Sequence, residues 1–468
     1  MLKFFWIFFL ILGWASSLAA APLPELGEPS RAIFSYRKEA AIGQEVLGAL
    51  YQQAPILDDP EVMAYLGRLG KKLLSARGVD SADFRFFAIA DPTLNASAFP
   101  GGIVVVHTGL IAATRNESEL AGVIAHELAH VLQGHIARMV ALAEQHRIPE
   151  MVGAALGMIA AIATQSNPMV AMAIPGLLAA QRMAYQKQEE AEADRVGLEI
   201  LKDAGFDPFA MASFFNRLEE ERRLSHVPAE PYFTTHPLTR DRIADMENRL
   251  THARWRQVED SLDYCLVRAK LRVLAYPGAA GVEHFAKNLQ EGRFFQEFEE
   301  RFALAHALMK AGRPQEAEKE YARIKNLPSA MIVGLGAQAA FAAGRLDAAF
   351  ERWQEGLRRY PEDIALRLAW AKALLETGKA KQALALADEV AKLSPQNPQA
   401  RHTEAEAYAL LGKDVQSHEA LGIAYLLEGN PKGAKEQWQI AAGLASGGSQ
   451  ERRRLEARLA SLESGRRY

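Results

Sequence analysis

The fold of this 468-residue chain is decided by Val-Ile-Ala-His-Glu-Leu-Ala-His-Val-Leu at positions 123–132, an apolar segment that carries His126, Glu127 and His130. Side chains four positions apart share one face of an α-helix, so both imidazoles can bind one metal ion. Glu127 lies on the same turn, where it is placed to contact a water rather than the metal. Since unpaired imidazoles in apolar surroundings cost free energy, the segment predicts a buried metal site rather than a surface helix with two incidental histidines.

The chemistry that this motif predicts is zinc-assisted hydrolysis of a peptide bond. Zinc held by neutral nitrogens and one carboxylate keeps a positive charge, which polarises a peptide carbonyl and lowers the pKa of a water toward about 7. Glu127 then accepts the proton of that water and delivers it to the leaving amine. Because the pattern also arises by chance in on the order of a few chains per hundred, other residues must support it.

A third zinc ligand is not supplied by the motif helix itself. The pattern in which the motif continues into a glycine and another histidine is absent, since Gln133 and Ile136 stand at those positions. His135 misses that register, and we expect it to lie on the helix surface. The helix is predicted to begin at a cap formed by Asn116 or Ser118 and to run to about residue 143.

The acidic segment at positions 186–195, Gln-Lys-Gln-Glu-Glu-Ala-Glu-Ala-Asp-Arg, offers further oxygen ligands. Glu190 and Asp194 are four positions apart and share one helix face. One interpretation is that Glu190 binds zinc while Asp194 orients a ligand histidine and fixes its tautomer. The alternative is a solvated charged face, which is what most runs of charge are.

A strand is predicted from four consecutive apolar residues, Ile103, Val104, Val105 and Val106, which follow a Pro-Gly-Gly turn. A strand beside the motif helix can accept an extended substrate by pairing at a sheet edge, so these residues are candidates for a substrate edge strand. The alternative is an ordinary member of the sheet with no open edge. Upstream, the patterning predicts helices around residues 39–54 and 62–76 and a strand over 84–90.

The first twenty residues are typical of a cleavable signal peptide. Lys3 precedes an apolar run over residues 4–14, and Ser17 and Ala19 are small residues at the −3 and −1 positions of a cleavage site. We expect cleavage after Ala19, with the next two alanines as alternatives. A membrane anchor would need about 20 apolar residues, and this run is shorter. The segment therefore predicts an exported protein.

A second apolar stretch, residues 151–180, is almost free of charge and is interrupted by prolines. Each uninterrupted piece is too short to cross a bilayer. The stretch predicts either a pair of buried core helices or an exposed apolar hairpin that covers the active site or makes a peripheral membrane contact.

The C-terminal half of the chain carries an internal repeat with a period near 34 residues. Four glycines mark it at intervals of 32, 34 and 34 residues, and a small residue follows each glycine by five positions. Prolines close successive units. This is the signature of tetratricopeptide repeats, in which the glycine permits the turn between helices and the small residue lets the helices approach. The marker positions are the glycines Gly312, Gly344, Gly378 and Gly412, the small residues Ala317, Ala349, Ala383 and Ser417, and the prolines Pro328, Pro361 and Pro395.

The overall composition excludes several classes of protein. With 54 basic and 57 acidic residues, the formal net charge is −3, which does not favour a nucleic-acid partner. Apolar residues make up 49% of the chain, too many for a disordered protein. The single cysteine, Cys265, rules out an internal disulfide and a thiolate-rich zinc site.

In combination, these segments resemble the M48 family of zinc endopeptidases. The resemblance rests on the His-Glu-Leu-Ala-His motif at 126–130, on Glu-Ala-Glu-Ala-Asp at 190–194 and on Asn-Ala-Ser-Ala-Phe-Pro-Gly-Gly at 95–102. It implies that His126, His130 and Glu190 bind one Zn²⁺ per chain. The fold implied is mostly α: a signal peptide (1–20), an α+β zincin-like metalloprotease domain with a small β-sheet (21–260) and an α-solenoid of tetratricopeptide repeats (261–468).

The resemblance extends to Thr-His-Pro-Leu-Thr-Arg-Asp-Arg-Ile at positions 235–243. It implies that His236 is a candidate fourth ligand or gate, which can take the place of water and hold the enzyme latent; the alternative is a histidine that caps a turn before Pro237. Arg242 is a candidate contact to the active-site loop or to the transition state.

An exported M48 protease with C-terminal repeats resembles periplasmic enzymes of outer-membrane quality control. This implies that unfolded or misassembled outer-membrane β-barrel proteins are degraded, that their maturation is aided, and that the repeats contact the barrel assembly machinery. The alternative function is a periplasmic tetratricopeptide chaperone or scaffold whose zinc site is latent or structural.

Overall fold

The computed structural model describes residues 35–138, 176–224, 232, 236–251 and 258–463. The predicted signal peptide lies outside these residues, and so does the apolar stretch predicted at 151–180 except for its last five positions, which begin a helix. Within the described ranges, no helix combines the length and the apolar character that crossing a membrane requires.

A three-stranded sheet lies at the centre of the N-terminal part. It consists of β1 (Arg85–Ile89), β2 (Ala96–Phe99) and β3 (Ile103–His107) in the order β1-β3-β2. β3 pairs parallel with β1 and antiparallel with β2, with Ala98 opposite Val104. The prediction of a substrate edge strand at Ile103, Val104, Val105 and Val106 is therefore wrong: these residues form the central strand, hydrogen-bonded on both sides.

Both faces of the sheet are covered by helices, which explains why β3 is apolar at successive positions. Helix α1 (Tyr36–Gln53) packs on the face that carries Phe87, Ile103 and Val105. The opposite face, with Val104 and Val106, joins the main core together with helices α2 (Pro60–Ser75) and α4 (Glu117–Leu132). A short helix, α3 (Thr108–Ala113), links β3 to α4.

Helix α4 carries the His-Glu-Leu-Ala-His motif and is buried over most of its length. It begins at Asn116, whose side-chain oxygen accepts a hydrogen bond from the backbone N–H of Glu119 at 2.9 Å. The prediction that this helix runs to about residue 143 is wrong, because it ends at Leu132. Gly134 follows with a φ of 63°, a left-handed conformation that ends helices.

Helix α5 (Gly176–Asp203) packs along α4 and brings the acidic segment to the motif. Close approach is possible because Gly197 faces α4: a Cβ at this glycine would lie 3.2 Å from the Cα of His126. Helices α6 (Phe209–Leu224) and α7 (Arg240–Leu250) complete this part of the molecule, and α6 contacts both α4 and α7.

The C-terminal half consists of antiparallel helices, as the repeat pattern predicts. The four marker glycines all have φ between 70° and 79° in turns between paired helices, and Ala317, Ala349 and Ala383 are fully buried. Together with the small sheet, this confirms the predicted fold class. The helices are α8 (Leu262–Arg272), α9 (Ala279–Glu291), α10 (Glu297–Lys310), α11 (Pro314–Ile324), α12 (Ala330–Ala342), α13 (Leu346–Arg359), α14 (Ile364–Glu376), α15 (Ala380–Leu393), α16 (Pro398–Leu410), α17 (Asp414–Leu427), α18 (Pro431–Leu444) and α19 (Gln450–Glu463).

The repeat helices contact the N-terminal part at several points. The main core continues from α2 into α12, and α14 packs against α2. Arg85 at the start of β1 donates a hydrogen bond of 2.8 Å to the carbonyl oxygen of Leu427. Lys270 forms ion pairs with Asp59 (2.6 Å) and Glu61 (2.5 Å) at the N-terminus of α2. The proposed boundary between residues 260 and 261 stays a prediction.

Candidate metal centre

Four side chains from three parts of the chain converge at one point. His126 and His130 come from α4, Glu190 comes from α5, and His236 precedes α7. One ligand atom from each of them lies within 4.8 Å of all the others. The structure thus brings together residues that are up to 110 positions apart.

Most of the short distances between these atoms are close to those between neighbouring ligands of a tetrahedral zinc ion. Zinc–nitrogen and zinc–oxygen bonds of about 2.0–2.1 Å place neighbouring ligand atoms about 3.3–3.4 Å apart. The Nε2 atoms of His126 and His130 are 3.1 Å apart, and each lies 3.4 Å from a Glu190 carboxylate oxygen. The Nδ1 atom of His236 lies 3.3 Å from His126 Nε2 and 3.0 Å from Glu190 Oε1. Imidazole nitrogens and a carboxylate oxygen are also the donors that zinc prefers in proteins.

Asp194 and Arg242 stand directly behind this cluster. Oδ1 of Asp194 lies 3.1 Å from Nδ1 of His126, on the side of the ring that faces away from the other ligands. Arg242 donates to both oxygens of Asp194 and to the carbonyl oxygen of Pro237, and its Nη1 lies 2.7 Å from Glu190 Oε2. Asp194 thus lies beside His126, and Arg242 contacts both the acidic helix and the loop after His236.

The groups around the cluster keep both of its acidic side chains ionised. Burial raises the pKa of the Glu190 carboxyl, but the imidazoles of His236, His126 and His130 outweigh this effect and hold it well below its usual range. Burial also raises the pKa of the Asp194 carboxyl, but the hydrogen bonds from Arg242 outweigh this effect and keep the pKa below its usual range. Both carboxylates therefore stay ionised in the interior.

The two histidines of the motif differ in their protonation. Burial lowers the pKa of His126, but its contacts with Asp194 and Glu190 reverse the effect and raise the pKa to about 9. Burial holds the pKa of His130 well below its ordinary value. His130 therefore stays neutral and keeps a lone pair that can bind a metal.

Glu127 is buried beside the cluster without being part of it. The backbone N–H of Ala98 in β2 donates to its carboxylate, and its Oε1 lies 3.5 Å from His236 Nε2. This Oε1 atom has no hydrogen-bond partner among the described residues. Burial raises the pKa of the Glu127 carboxyl, which is the shift that a proton acceptor working near neutral pH requires.

β2 is the outer strand on one side of the described sheet. The hydrogen bond from His107 N–H to the Asn95 carbonyl sets the antiparallel ladder, so the backbone groups of Ala96 and Ala98 point away from β3. Ala98 is also the residue that contacts Glu127. The edge beside the motif helix is therefore formed by residues 96–99 rather than by 103–106.

Comparison with known proteins agrees with this geometry. The family model "Peptidase family M48" matches residues 60–250, and a tetratricopeptide repeat model matches residues 340–406. The chain is 30% identical to the "Beta-barrel assembly-enhancing protease" of Escherichia coli over 456 residues, which cover 95% of this chain and 92% of that protein.

The chain belongs to peptidase family M48. It is therefore a metalloendopeptidase. It is also 36% identical to the "Putative beta-barrel assembly-enhancing protease" of Vibrio cholerae over 57% of this chain and 55% of that one. The "Mitochondrial metalloendopeptidase OMA1" of Schizosaccharomyces pombe is 30% identical over 40% of this chain and 53% of that protein.

In this M48 peptidase, the sequence patterns misplace one residue near the cluster and do not predict two others. His135 is buried rather than on the helix surface, with its Nδ1 atom 2.7 Å from Nδ1 of His130. The glycine beside it was the available signal for a helix end. The ring of Tyr232 stacks on His236 with centroids 4.9 Å apart, and the edge of Phe215 packs against His126. Neither aromatic residue belongs to a motif, so nothing in the sequence distinguishes it from ordinary core.

Proposed function

We propose that this chain is a zinc endopeptidase of the bacterial periplasm, with one Zn²⁺ per chain, that degrades misassembled outer-membrane β-barrel proteins and aids their assembly. In this proposal His126, His130 and Glu190 bind zinc, Glu127 is the general base, and Asp194 orients His126. The observation that carries the proposal is the convergence of four ligand atoms within 4.8 Å beside Glu127, whose Oε1 has no hydrogen-bond partner among the described residues.

The residues of the chain have separable roles in this mechanism. Zinc supplies a Lewis acid that polarises the peptide carbonyl and makes a water more acidic. The carboxylate of Glu127 accepts the proton of the attacking water and transfers it to the leaving amine, which needs an oxygen free of other partners. In this proposal Oδ1 of Asp194, 3.1 Å from Nδ1 of His126, favours the tautomer in which the lone pair of Nε2 is directed at the cluster.

The substrate proposal rests on β2 and on the relatives. Because β2 is an outer strand of the described sheet and lies beside Glu127, we infer that an extended chain pairs with it, which a folded strand cannot do. Relatives that match almost the whole chain are called beta-barrel assembly-enhancing proteases. Unassembled β-barrel proteins, whose strands lack their final neighbours, are the substrates that fit both observations, and their location implies the periplasm.

His236 is proposed as a gate on this site. Its Nδ1 atom lies 3.0 Å from Glu190 Oε1 and 3.3 Å from His126 Nε2, as a neighbouring zinc ligand would. At this position the imidazole competes with water for the fourth zinc position. The enzyme is then latent until this imidazole moves away. The ring of Tyr232 stacks on the His236 ring, and the Tyr232 carbonyl oxygen accepts a hydrogen bond of 2.8 Å from the His236 backbone N–H, so the two residues form one unit.

The position of the His236 imidazole beside the other ligand atoms also favours a second candidate function. This is a tetratricopeptide chaperone or scaffold with a latent zinc site. In that case the repeats bind an unassembled barrel protein or the barrel assembly machinery, and cleavage is secondary. The position of the Glu127 carboxyl beside the cluster favours the protease, because a purely structural zinc site has no use for a general base.

The deciding experiment compares wild-type protein with Glu127→Gln. We expect the variant to retain about one zinc per chain and to lose cleavage of an unfolded β-barrel substrate by about 10²–10⁴-fold, the usual contribution of a general base. Undiminished cleavage would refute the assignment of Glu127. If wild type cleaves no unfolded substrate but both proteins still bind it equally, the scaffold function is supported instead.

A further inference from the structure

His135 connects the metal cluster to a pair of charged residues outside it. Its Nδ1 atom lies 2.7 Å from Nδ1 of His130, and its Nε2 atom lies 3.3 Å from Oε2 of Glu192. The same carboxylate oxygen accepts a hydrogen bond of 2.8 Å from Arg138. The side chain of His135 is 3% exposed. Its contacts thus form a chain from His130 to Glu192.

The proton positions in this chain follow from the chemistry of imidazole. If His130 offers the lone pair of Nε2 to a metal, its single ring proton lies on Nδ1. That proton faces Nδ1 of His135, which must then be the unprotonated nitrogen. The ring proton of His135 therefore lies on Nε2 and faces the Glu192 carboxylate. Only in this arrangement does each ring N–H face an acceptor and each unprotonated ring nitrogen face a donor or the metal.

The backbone at Gly134 makes the contact possible. With φ at 63°, Gly134 ends helix α4 and turns the chain, so that the next side chain faces the motif instead of continuing along the helix. A residue with a Cβ adopts this conformation at a cost. On a regular helix, the residue five positions after His130 would lie more than one full turn away from it.

We propose that His135 is a positioning residue that fixes the tautomer and the ring orientation of His130, with Glu192 fixing His135 in turn. This inference rests on the proposed zinc-binding function. The two ligand histidines then have partners of different charge, since His126 faces the Asp194 carboxylate and His130 faces a neutral imidazole. Loss of a partner of this kind commonly costs about 10–100-fold in metal affinity.

The test compares two substitutions of similar size at this position. In His135→Asn the side-chain oxygen takes the place of Nδ1 and can accept from His130, whereas His135→Leu has no acceptor. Zinc affinity is measured by competition with a chromophoric chelator. We expect the leucine variant to bind zinc about 10–100-fold more weakly than wild type and the asparagine variant to bind within about threefold of wild type.

The matched control is His107→Leu, the same substitution at another buried histidine of the N-terminal part, which lies outside the cluster. Its zinc affinity is expected to equal that of wild type. Equal losses in both His135 variants would show a packing effect and overturn the positioning role, and so would a leucine variant with wild-type affinity. A wild-type protein that binds no zinc would instead overturn the proposed function.

Proton NMR of the zinc-loaded wild type tests the proposal without any substituted protein. We expect a slowly exchanging, hydrogen-bonded Nδ1–H signal from His130. An Nδ1–H signal from His130 that exchanges freely with water would overturn the positioning role of His135.

Discussion

The guanidinium of Arg242 donates two parallel hydrogen bonds to the carboxylate of Asp194, from Nε to Oδ2 and from Nη2 to Oδ1, each 2.8 Å long. Both groups are buried. Because Oδ1 of Asp194 also faces Nδ1 of His126 at 3.1 Å, Arg242 acts on a proposed zinc ligand through an intermediate carboxylate. A two-point contact of this type fixes the plane of the carboxylate, which a single hydrogen bond does not.

The first prediction concerns the loss of this guanidinium. Arg242→Met leaves the carboxylates of Asp194 and Glu190 buried without their cation, and we expect the metal-free protein to lose about 3–5 kcal/mol of unfolding free energy. Urea denaturation after chelator treatment measures this loss. The control is Arg249→Met on the same helix, where the ion pair with Asp245 is solvent-exposed and is expected to contribute about 1 kcal/mol or less. Equal effects in the two variants would contradict the prediction.

The second prediction concerns the gate. His236→Ala removes the imidazole that lies 3.0 Å from Glu190, and we expect basal cleavage of an unfolded substrate to rise because water gains access to the fourth position. Cleavage rate and zinc content are measured together. Lower activity with intact zinc would instead show that His236 works in catalysis, and the double variant with Glu127→Gln, expected to be inactive, excludes a contaminating protease.

The third prediction tests how the repeats contact the N-terminal part. Gly48 on α1 faces the turn at Gly429, and a Cβ at Gly48 would lie 2.6 Å from the Gly429 carbonyl oxygen. We expect Gly48→Ala to destabilise the protein by about 1–3 kcal/mol, because one backbone must move away from the other. Thermal unfolding and limited proteolysis of the repeats measure the effect.

Gly67 supplies the matched control for this substitution. It also lies within a helix, α2, but a Cβ added there would have no neighbouring atom of the described residues within 4 Å. Gly67→Ala is expected to stabilise the protein by about 0.5–1 kcal/mol, since alanine is the better helix former. If both alanine variants change stability in the same direction, the contact between Gly48 and Gly429 does not hold the repeats in place.

The fourth prediction concerns acid stability. His306 on α10 has no hydrogen-bond partner for Nε2 among the described residues, and burial together with Lys270 and Lys310 holds its pKa well below the ordinary 6.5. The unfolded chain therefore binds a proton at this histidine before the folded chain does, and stability falls as the pH drops below about 6.5.

Replacing His306 by leucine removes this proton uptake. We expect the unfolding free energy of His306→Leu to depend less on pH between about pH 6.5 and pH 5, by at most about 1.4 kcal/mol per pH unit. Urea denaturation at several pH values measures the slope. An unchanged slope would show that His306 does not contribute to the acid sensitivity.

Much of this architecture follows from local patterns in the chain. The four-residue spacing of His126 and His130 and the 34-residue repeat are properties of neighbouring residues on one helix or one helical hairpin. Both are found in the structure as predicted. The buried setting of the motif also follows from its apolar neighbours, and α4 is buried over most of its length.

Other predictions failed where they depended on long-range pairing or on a single torsion angle. Nothing in four apolar residues shows which strand is central, since that depends on partners at residues 85–89 and 96–99. A helix that continues past Gly134 predicts His135 on the surface, but the φ of 63° at Gly134 turns the chain out of the helix.

The sequence by itself determined the residue types and spacings from which a metal site and a repeat domain can be built, because helical periodicity is a local property. The tertiary structure decided that the side chains of Glu190 and His236 meet the motif, that β2 rather than β3 is an outer strand and that His135 faces His130. These contacts depend on how α4, α5 and the sheet pack against one another, and packing is a property of the whole chain.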